Sequence, residues 1–328
     1  MRILKYFAAV AGFAAAALSL ASVRAPAEAQ PFPSRPITIM VGFAPGGGVD
    51  IVARTLGAQL QEQLGQPVII ENRPGANSNL AAIATARAKP DGYTLMLGAN
   101  GITANMALYA APGFDVEKDL AGISSVGQIP NVIAAGKGFA GQSLADLVAS
   151  AKAEPGKITF GTAGAGSSPH LTMELFQREA GITLQHVGYR GGQPAITDTI
   201  GGHIALVAVN ALEALPQVKG GALRALAVTG KARHPSLPDV PTVAEQGFPG
   251  FESFTWWALF ATAGTPADVI DKLNAETRKA LASASFREKI SQVGGIVTGS
   301  SPAELNAFIT ADRAKWTKII REGKITAE

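Results

Sequence analysis

Ile37-Thr38-Ile39-Met40-Val41-Gly42-Phe43-Ala44-Pro45-Gly46-Gly47-Gly48-Val49-Asp50 sets the reading of the whole chain. Its apolar first five residues predict a buried strand, and Asp50 to Leu64 has the spacing of an amphipathic helix. The glycines between them let the backbone approach a ligand with no side chain in the way. The first turn of a helix leaves backbone N–H groups unpaired and carries partial positive charge. Strand, glycine turn and helix start therefore make a receptor for a carboxylate or phosphate. Two other readings fit the stretch. One is a purely structural turn. The other is a nucleotide site, which has less support. No Gly-Lys pair precedes Ser or Thr, and Ile51 stands where a dinucleotide fingerprint has its third glycine. Only Glu71, near the end of the next strand-like run, fits a ribose-binding acid.

Gly161-Thr162-Ala163-Gly164-Ala165-Gly166-Ser167-Ser168-Pro169-His170 repeats this logic. A strand over Ile158–Phe160 ends in small residues, and a helix begins with Ser168 as its N-cap and Pro169 at its first position. The chain thus holds two candidate anion loops, neither with a basic residue before its helix begins.

The N-terminus reads as an address. Arg2 and Lys5 precede an apolar, alanine-rich run from Tyr6 to Val23, and Ala27-Glu28-Ala29 is a cleavage signal. Residues 1–29 are expected to be a secretory signal peptide cut near Ala29, the alternative being an uncleaved membrane helix. The 328-residue chain has no cysteine, so neither a disulfide nor an acylated cysteine anchors the product. A free periplasmic protein follows. The formal charge of +3 loses Arg2, Lys5, Arg24 and Glu28 with the signal, and the remaining basic residues are not clustered. Nucleic acid is therefore not an expected partner.

Apolar runs alternate with helical patterns over most of the chain, which argues for parallel sheets in an α/β protein. Gly127-Gln128-Ile129-Pro130-Asn131 separates the strand candidates Ile123–Val126 and Val132–Ala135, and Phe248-Pro249-Gly250-Phe251-Glu252-Ser253 is a similar break later. Read as chain crossings rather than ordinary loops, they divide the protein into residues 30–128 with 250–328 as one lobe and 129–249 as the other. A cleft between lobes is a natural ligand site, with one anion loop on each wall.

The chain resembles the Bug-type extracytoplasmic solute receptors of tripartite tricarboxylate transporters over almost its whole mature length. The matching segments include Phe43 to Asp50, Glu71-Asn72-Arg73-Pro74-Gly75-Ala76, Lys89-Pro90-Asp91-Gly92-Tyr93-Thr94, Gly161 to His170, and Tyr189-Arg190-Gly191-Gly192. Leu237-Pro238-Asp239-Val240-Pro241-Thr242-Val243-Ala244-Glu245 is especially specific, as is Trp256 followed by Ala263-Gly264-Thr265-Pro266. The resemblance implies a two-lobed type 2 periplasmic binding protein, the Venus-flytrap fold, which closes on a small carboxylate held by backbone amides and water. It also implies a monomer that delivers its solute to a membrane permease. Carried onto this sequence, the ligand residues are Phe43, Ala44, Pro45, Gly46, Gly47 and Gly48 on one loop and Thr162, Ala163, Gly164, Ser167 and Ser168 on the other. Ala99 and Asn100 line the same cleft, as does Asn210. His170 either reaches the ligand or faces solvent or the hinge. The chain departs from its relatives at Ala205 and Val209, where many have Asp, at Thr103, where many have His, and at Thr262, which replaces a common proline.

The rival function is a secreted hydrolase acting on a small carboxylate or ester. No serine has the G-x-S-x-G setting, and no acid is placed by motif to orient His170, so capture without catalysis is the expected activity. His186, His203 and His234 are scattered, so neither a metal nor a cofactor is expected. Arg190 fits either a ligand carboxylate or its own glycine turn, and Trp256 and Trp257 fit either the core or a cleft wall.

Overall fold

The buried strand expected at the start is present as β1 (Ile37–Val41), and the helix after the glycine turn is α1 (Gly48–Leu64), in a computed structural model that describes residues 31–292, 294–323 and 325–326. The signal peptide expected over residues 1–29 lies outside the described residues. Along α1, Val52, Ala53, Leu56 and Leu60 are buried at helical spacing, and Gly65 ends the helix in the left-handed conformation a side chain disfavours. The chain continues as β2 (Val68–Asn72), α2 (Asn79–Ala86), β3 (Thr94–Ala99), α3 (Gly101–Leu108), β4 (Leu120–Ala135), α4 (Leu144–Ala153) and β5 (Thr159–Thr162). Then come α5 (Ser168–Ala180), β6 (Gln185–Gly188), α6 (Gly192–Gly201), β7 (Leu206–Asn210), α7 (Ala211–Lys219) and β8 (Arg224–Val228). A single 3-10 turn, Ala244–Gln246, precedes β9 (Phe254–Thr262), α8 (Ala267–Ala282), α9 (Ala284–Gln292), β10 (Ile296–Val297) and α10 (Pro302–Gly323).

These elements form an α/β, two-lobed fold in which β4 belongs to both sheets. Its first part, Leu120 to Pro130, pairs antiparallel with β9, and its last part, Asn131 to Ala135, pairs antiparallel with β7 and β8. One sheet runs β2-β1-β3-β9-β4 and the other continues β4-β7-β5-β6. The βα alternation predicts parallel pairing, and that holds for β2-β1-β3 and for β6-β5-β7. The antiparallel pairs lie where the two sheets meet: β9 pairs antiparallel with β3 and β4, and β4 with β7 and β8.

Gly127–Asn131 is not a break but the middle of β4. Proline is tolerated at Pro130 because the strand changes partners there: Pro130 faces Phe254 and Asn131 faces Asn210. The chain is held at this point by buried side chains. Asn131 Nδ2 donates to Thr172 Oγ1 at 2.8 Å and to Ser168 Oγ at 3.2 Å, while Thr255 Oγ1 donates to Asn131 Oδ1 at 2.9 Å. Thr229 Oγ1 donates to Ser253 O at 2.6 Å on the second connection. Each sheet has its own apolar core. One contains Met96, Ile102, Trp256, Phe260 and Ile309, the other Ile133, Leu147, Phe160, Phe176 and Leu206. Trp256 and Trp257 are buried, and the Trp256 indole N–H donates to Asp312 Oδ2 at 3.3 Å, on the α10 side. No helix among the described residues is long and apolar enough to cross a membrane.

Candidate functional site

Five helices begin around one cavity. The N-caps of α1, α5, α6 and α7, which are Gly47, Ser167, Gly191 and Asn210, line it, as does Gly101 at the start of α3. Each helix start offers unpaired N–H groups and the positive end of its dipole. No lysine, arginine or histidine lines the cavity among the described residues, so the donors that face it belong to backbone and to neutral side chains. The free volume is about 40 Å³, room for a few water molecules.

Of the residues expected at the site, Phe43, Ala44, Pro45, Gly47 and Gly48 line the cavity from the first loop and Ala163, Ser167 and Ser168 from the second. Ala99 and Asn210 join them from the ends of β3 and β7. Five others stand elsewhere. Gly46, in a left-handed conformation with φ 81°, donates its N–H to Asp50 Oδ2 at 2.9 Å. Asn100 ties α3 to β9 by donating to Phe254 O at 3.0 Å and accepting from Trp256 N–H at 2.8 Å. Thr162 Oγ1 lies 2.7 Å from His186 Nε2. Gly164 and His170 line a second, wider cavity of about 580 Å³ that shares Phe43 and Ala163 with the first.

The first loop is braced from below by Asp50. Its buried carboxylate accepts from Gly46 N–H, from Arg54 Nε at 2.9 Å and from Asn72 Nδ2 at 2.9 Å, while Asn72 Nδ2 also donates to Phe43 O at 3.0 Å. Burial pushes the Asp50 pKa up, but the bonds from Arg54, Gly46 and Asn72 outweigh it and the net shift is downward. Asp50 is thus a brace and stays ionised.

The second loop is braced by neutral groups. The helix N-cap is Ser167, one residue before the expected Ser168, and Ser167 Oγ accepts from His170 N–H at 3.4 Å. Ser168 Oγ instead donates to Phe254 O at 2.8 Å. His170 Nδ1 accepts from Gly166 N–H at 2.9 Å, and its Nε2 lies 3.5 Å from Glu174 Oε1. The ring stacks on His186 with centroids 4.0 Å apart. Burial, and secondarily His170, hold the His186 pKa down at about 3. The His170 ring is thus engaged with Gly166, Glu174 and His186 and not with a serine hydroxyl, which is not the geometry of an activated nucleophile. Arg190 is exposed beside the wider cavity. No group of three His, Cys, Asp or Glu placed to hold a metal exists among the described residues.

Sequence reasoning passed over several residues of the narrow cavity. Gly191 and Gly192 open α6 there, beside Gln193, and Thr255 reaches it from β9. The most consequential is Glu213. Its backbone N–H donates to the Asn210 cap at 3.2 Å, and its Oε1 accepts from Gly48 N–H at 2.9 Å. An Asn followed three residues later by Glu signals a helix start, which is legible. The contact with Gly48, 165 residues away, is not. The departures from the family pattern lie in the core. Thr103 Oγ1 donates to Asp312 Oδ2 at 2.6 Å, Thr262 Oγ1 donates to Thr85 O at 2.7 Å, and Val209 pairs with Val132.

Residues 52–325 match the profile of the tripartite tricarboxylate transporter family receptor, TctC. Protein BugT of Bordetella pertussis is 36% identical over 307 residues, covering 93% of this chain and 94% of BugT. The solved structure of the periplasmic binding protein BugD is similar with a TM-score of 0.86 at 32% identity, covering 90% of this chain and 100% of that one. Rpa4515 of R. palustris, solved with adipate, gives a TM-score of 0.86 at 34% identity, covering 90% of this chain and 99% of its own.

Proposed function

The chain belongs to the tripartite tricarboxylate transporter receptor family, and on that premise we propose that it captures a small carboxylate-bearing metabolite in the cleft and delivers it to a membrane permease of the tripartite tricarboxylate type. One observation carries the reading: five helix starts converge on a cavity with no basic side chain among the described residues that line it. A fixed anion is best held there by N–H groups and helix dipoles, as a carboxylate is elsewhere. That a relative of the same fold was solved with adipate supports the same class of solute here.

In this reading residues 30–128 with 250–328 form one lobe and 129–249 the other, and both walls contribute to capture. A solute touching both walls binds the closed form better than the open one and shifts the equilibrium towards closure. Residues 1–29 are removed during export, and the mature receptor works in the periplasm as a monomer. The activity is binding, without turnover.

Native mass spectrometry of gently purified protein identifies any acid it carries, and thermal unfolding with a panel of acids and their neutral amides tests the class. At about 100-fold excess over Kd a true solute stabilises the protein by about 2.7 kcal/mol. Acids are expected to raise the unfolding temperature and their amides to leave it unchanged. Equal shifts by both would sink the carboxylate assignment, and hydrolysis of an ester panel by pure protein would restore the enzyme reading.

A further inference from the structure

Glu213 is the third residue of α7, whose first turn Asn210 caps. In a helix opening Asn-x-x-Glu the acid ordinarily turns back on the capping residue. Here the side chain crosses the cleft instead, and Oε1 accepts from Gly48 N–H at 2.9 Å. Glycines make the room. A Cβ on Gly47 would sit 3.1 Å from Oε1, and one on Gly192 would overlap Oε2. The carboxylate therefore rests between the starts of α1 and α6, a place suited to an incoming anion. It is only 6% exposed. Among the described residues, Gly48 N–H is the one donor to its carboxylate, while Oε2 has none and is not sealed from the cavity.

A carboxylate buried with one donor and no counter-ion is short of partners. Burial accordingly raises its pKa to about 7, against the bond from Gly48, which lowers it. A missing partner of positive charge, with several N–H groups to offer, would satisfy it.

Resting on the carboxylate-receptor reading, we propose that Glu213 is the specificity-determining residue of the cleft and selects a solute that carries a protonated amine beside its carboxylate. The ammonium supplies the donors and the charge that Oε2 lacks. The solute carboxylate takes donors that Glu213 leaves free, the Ser167 hydroxyl and Ser168 N–H of α5 and the Gly101 N–H of α3. A plain diacid sets a second negative charge against Glu213 and is rejected by repulsion. Selection thus comes from a charge of the protein's own, placed where the fold would otherwise hold the solute's.

Calorimetry on the purified chain at pH 8 compares adipate with 2-aminoadipate and succinate with aspartate, each pair differing only by the amine. The amino member is expected to bind at least about tenfold more tightly, a difference well within reach of one charge-assisted contact. Glu213→Gln keeps the shape and removes the charge. It should weaken the amino member by about tenfold or more while the plain diacid holds or gains. Glu213→Ala repeats the test in a variant with no carboxamide, and unfolding curves check that both variants fold. Equal or tighter binding of the plain diacids by the wild type, or a preference unchanged in both variants, overturns the proposal and leaves the carboxylate reading intact. Failure of all four acids to bind the wild type or either variant overturns that reading and the proposal with it.

Discussion

The two glycine-rich loops look alike in sequence and are built on opposite principles. In the first, acids of the protein itself take loop N–H groups: Asp50 accepts from Gly46 and Glu213 from Gly48. In the second, neutral side chains do so: His170 accepts from Gly166 and Thr162 from Gly164. The first loop is braced by acids, one of them reaching over from α7, and the second is not. A glycine turn at a helix start therefore predicts where an anion sits, but not whose anion it is.

The largest effect that separates the walls is the direction of their pH dependence. Glu213 is an acid held above its ordinary value, 4.5, at about 7. It keeps its proton longer folded than unfolded, so stability is greatest below pH 4.5, falls as pH rises to about 7, and is level beyond. The whole fall is about 3 kcal/mol. His186 is a base held below its ordinary value, 6.5, at about 3. It binds fewer protons folded than unfolded, so stability is full above pH 6.5 and drains as pH falls towards 3, by about 5 kcal/mol in all. His170 stacks on His186, with Glu174 beside it. The two slopes oppose each other between pH 4.5 and 6.5, so denaturant unfolding from pH 3 to 9 should show Glu213→Gln abolishing the fall between pH 4.5 and about 7, and His186→Asn abolishing the loss as pH drops below 6.5. Parallel curves for wild type and either variant would remove the distinction between the walls.

A smaller effect tests whether Gly192, at the start of α6, exists to seat Glu213. Gly192→Ala places a methyl group against the Glu213 carboxylate, and overpacking of this kind costs about 1–3 kcal/mol. If the overlap is with Glu213 alone, adding Glu213→Ala relieves it and the pair is strongly non-additive. Simple addition of the two losses in unfolding experiments would mean that Gly192 serves the backbone of α6 and not the acid.

Much of the fold was open to reading because its signals are local. β1, the glycine turn and α1 follow from an apolar run, three glycines and a helical stripe, and α4 follows from Ser143 and Asp146, which form a reciprocal cap. What escaped depends on contacts far away or on too few residues. Pro130 reads as a breaker until it is known that β4 changes partners there. α3 shows no readable period, because it starts with glycine and is buried on nearly every side and so has no polar face. β10 has two residues, too short for any pattern. At the site, the loops were legible and Glu213 was not. Asn210 and Glu213 declare a helix start, and nothing nearby in sequence says that the acid will cross to Gly48.

The smallest effect concerns the neutral wall. Ser167 Oγ accepts from His170 N–H at 3.4 Å, a long bond that satisfies one of the unpaired N–H groups of α5. Replacing a serine N-cap with alanine typically costs about 1 kcal/mol, and a bond of this length belongs at the lower end of the range. Ser167→Ala should therefore shift the urea midpoint slightly at constant slope, since no buried surface changes. The loss should also be the same at pH 5 and pH 8, because no buried acid shares the bond. Water in the adjoining cavity can take over the freed N–H, which keeps the penalty small. A loss above about 3 kcal/mol would exceed what a cap contributes. A loss that grew with pH would mean that Ser167 is coupled to Glu213, and the two loops would then have to be treated as one electrostatic unit.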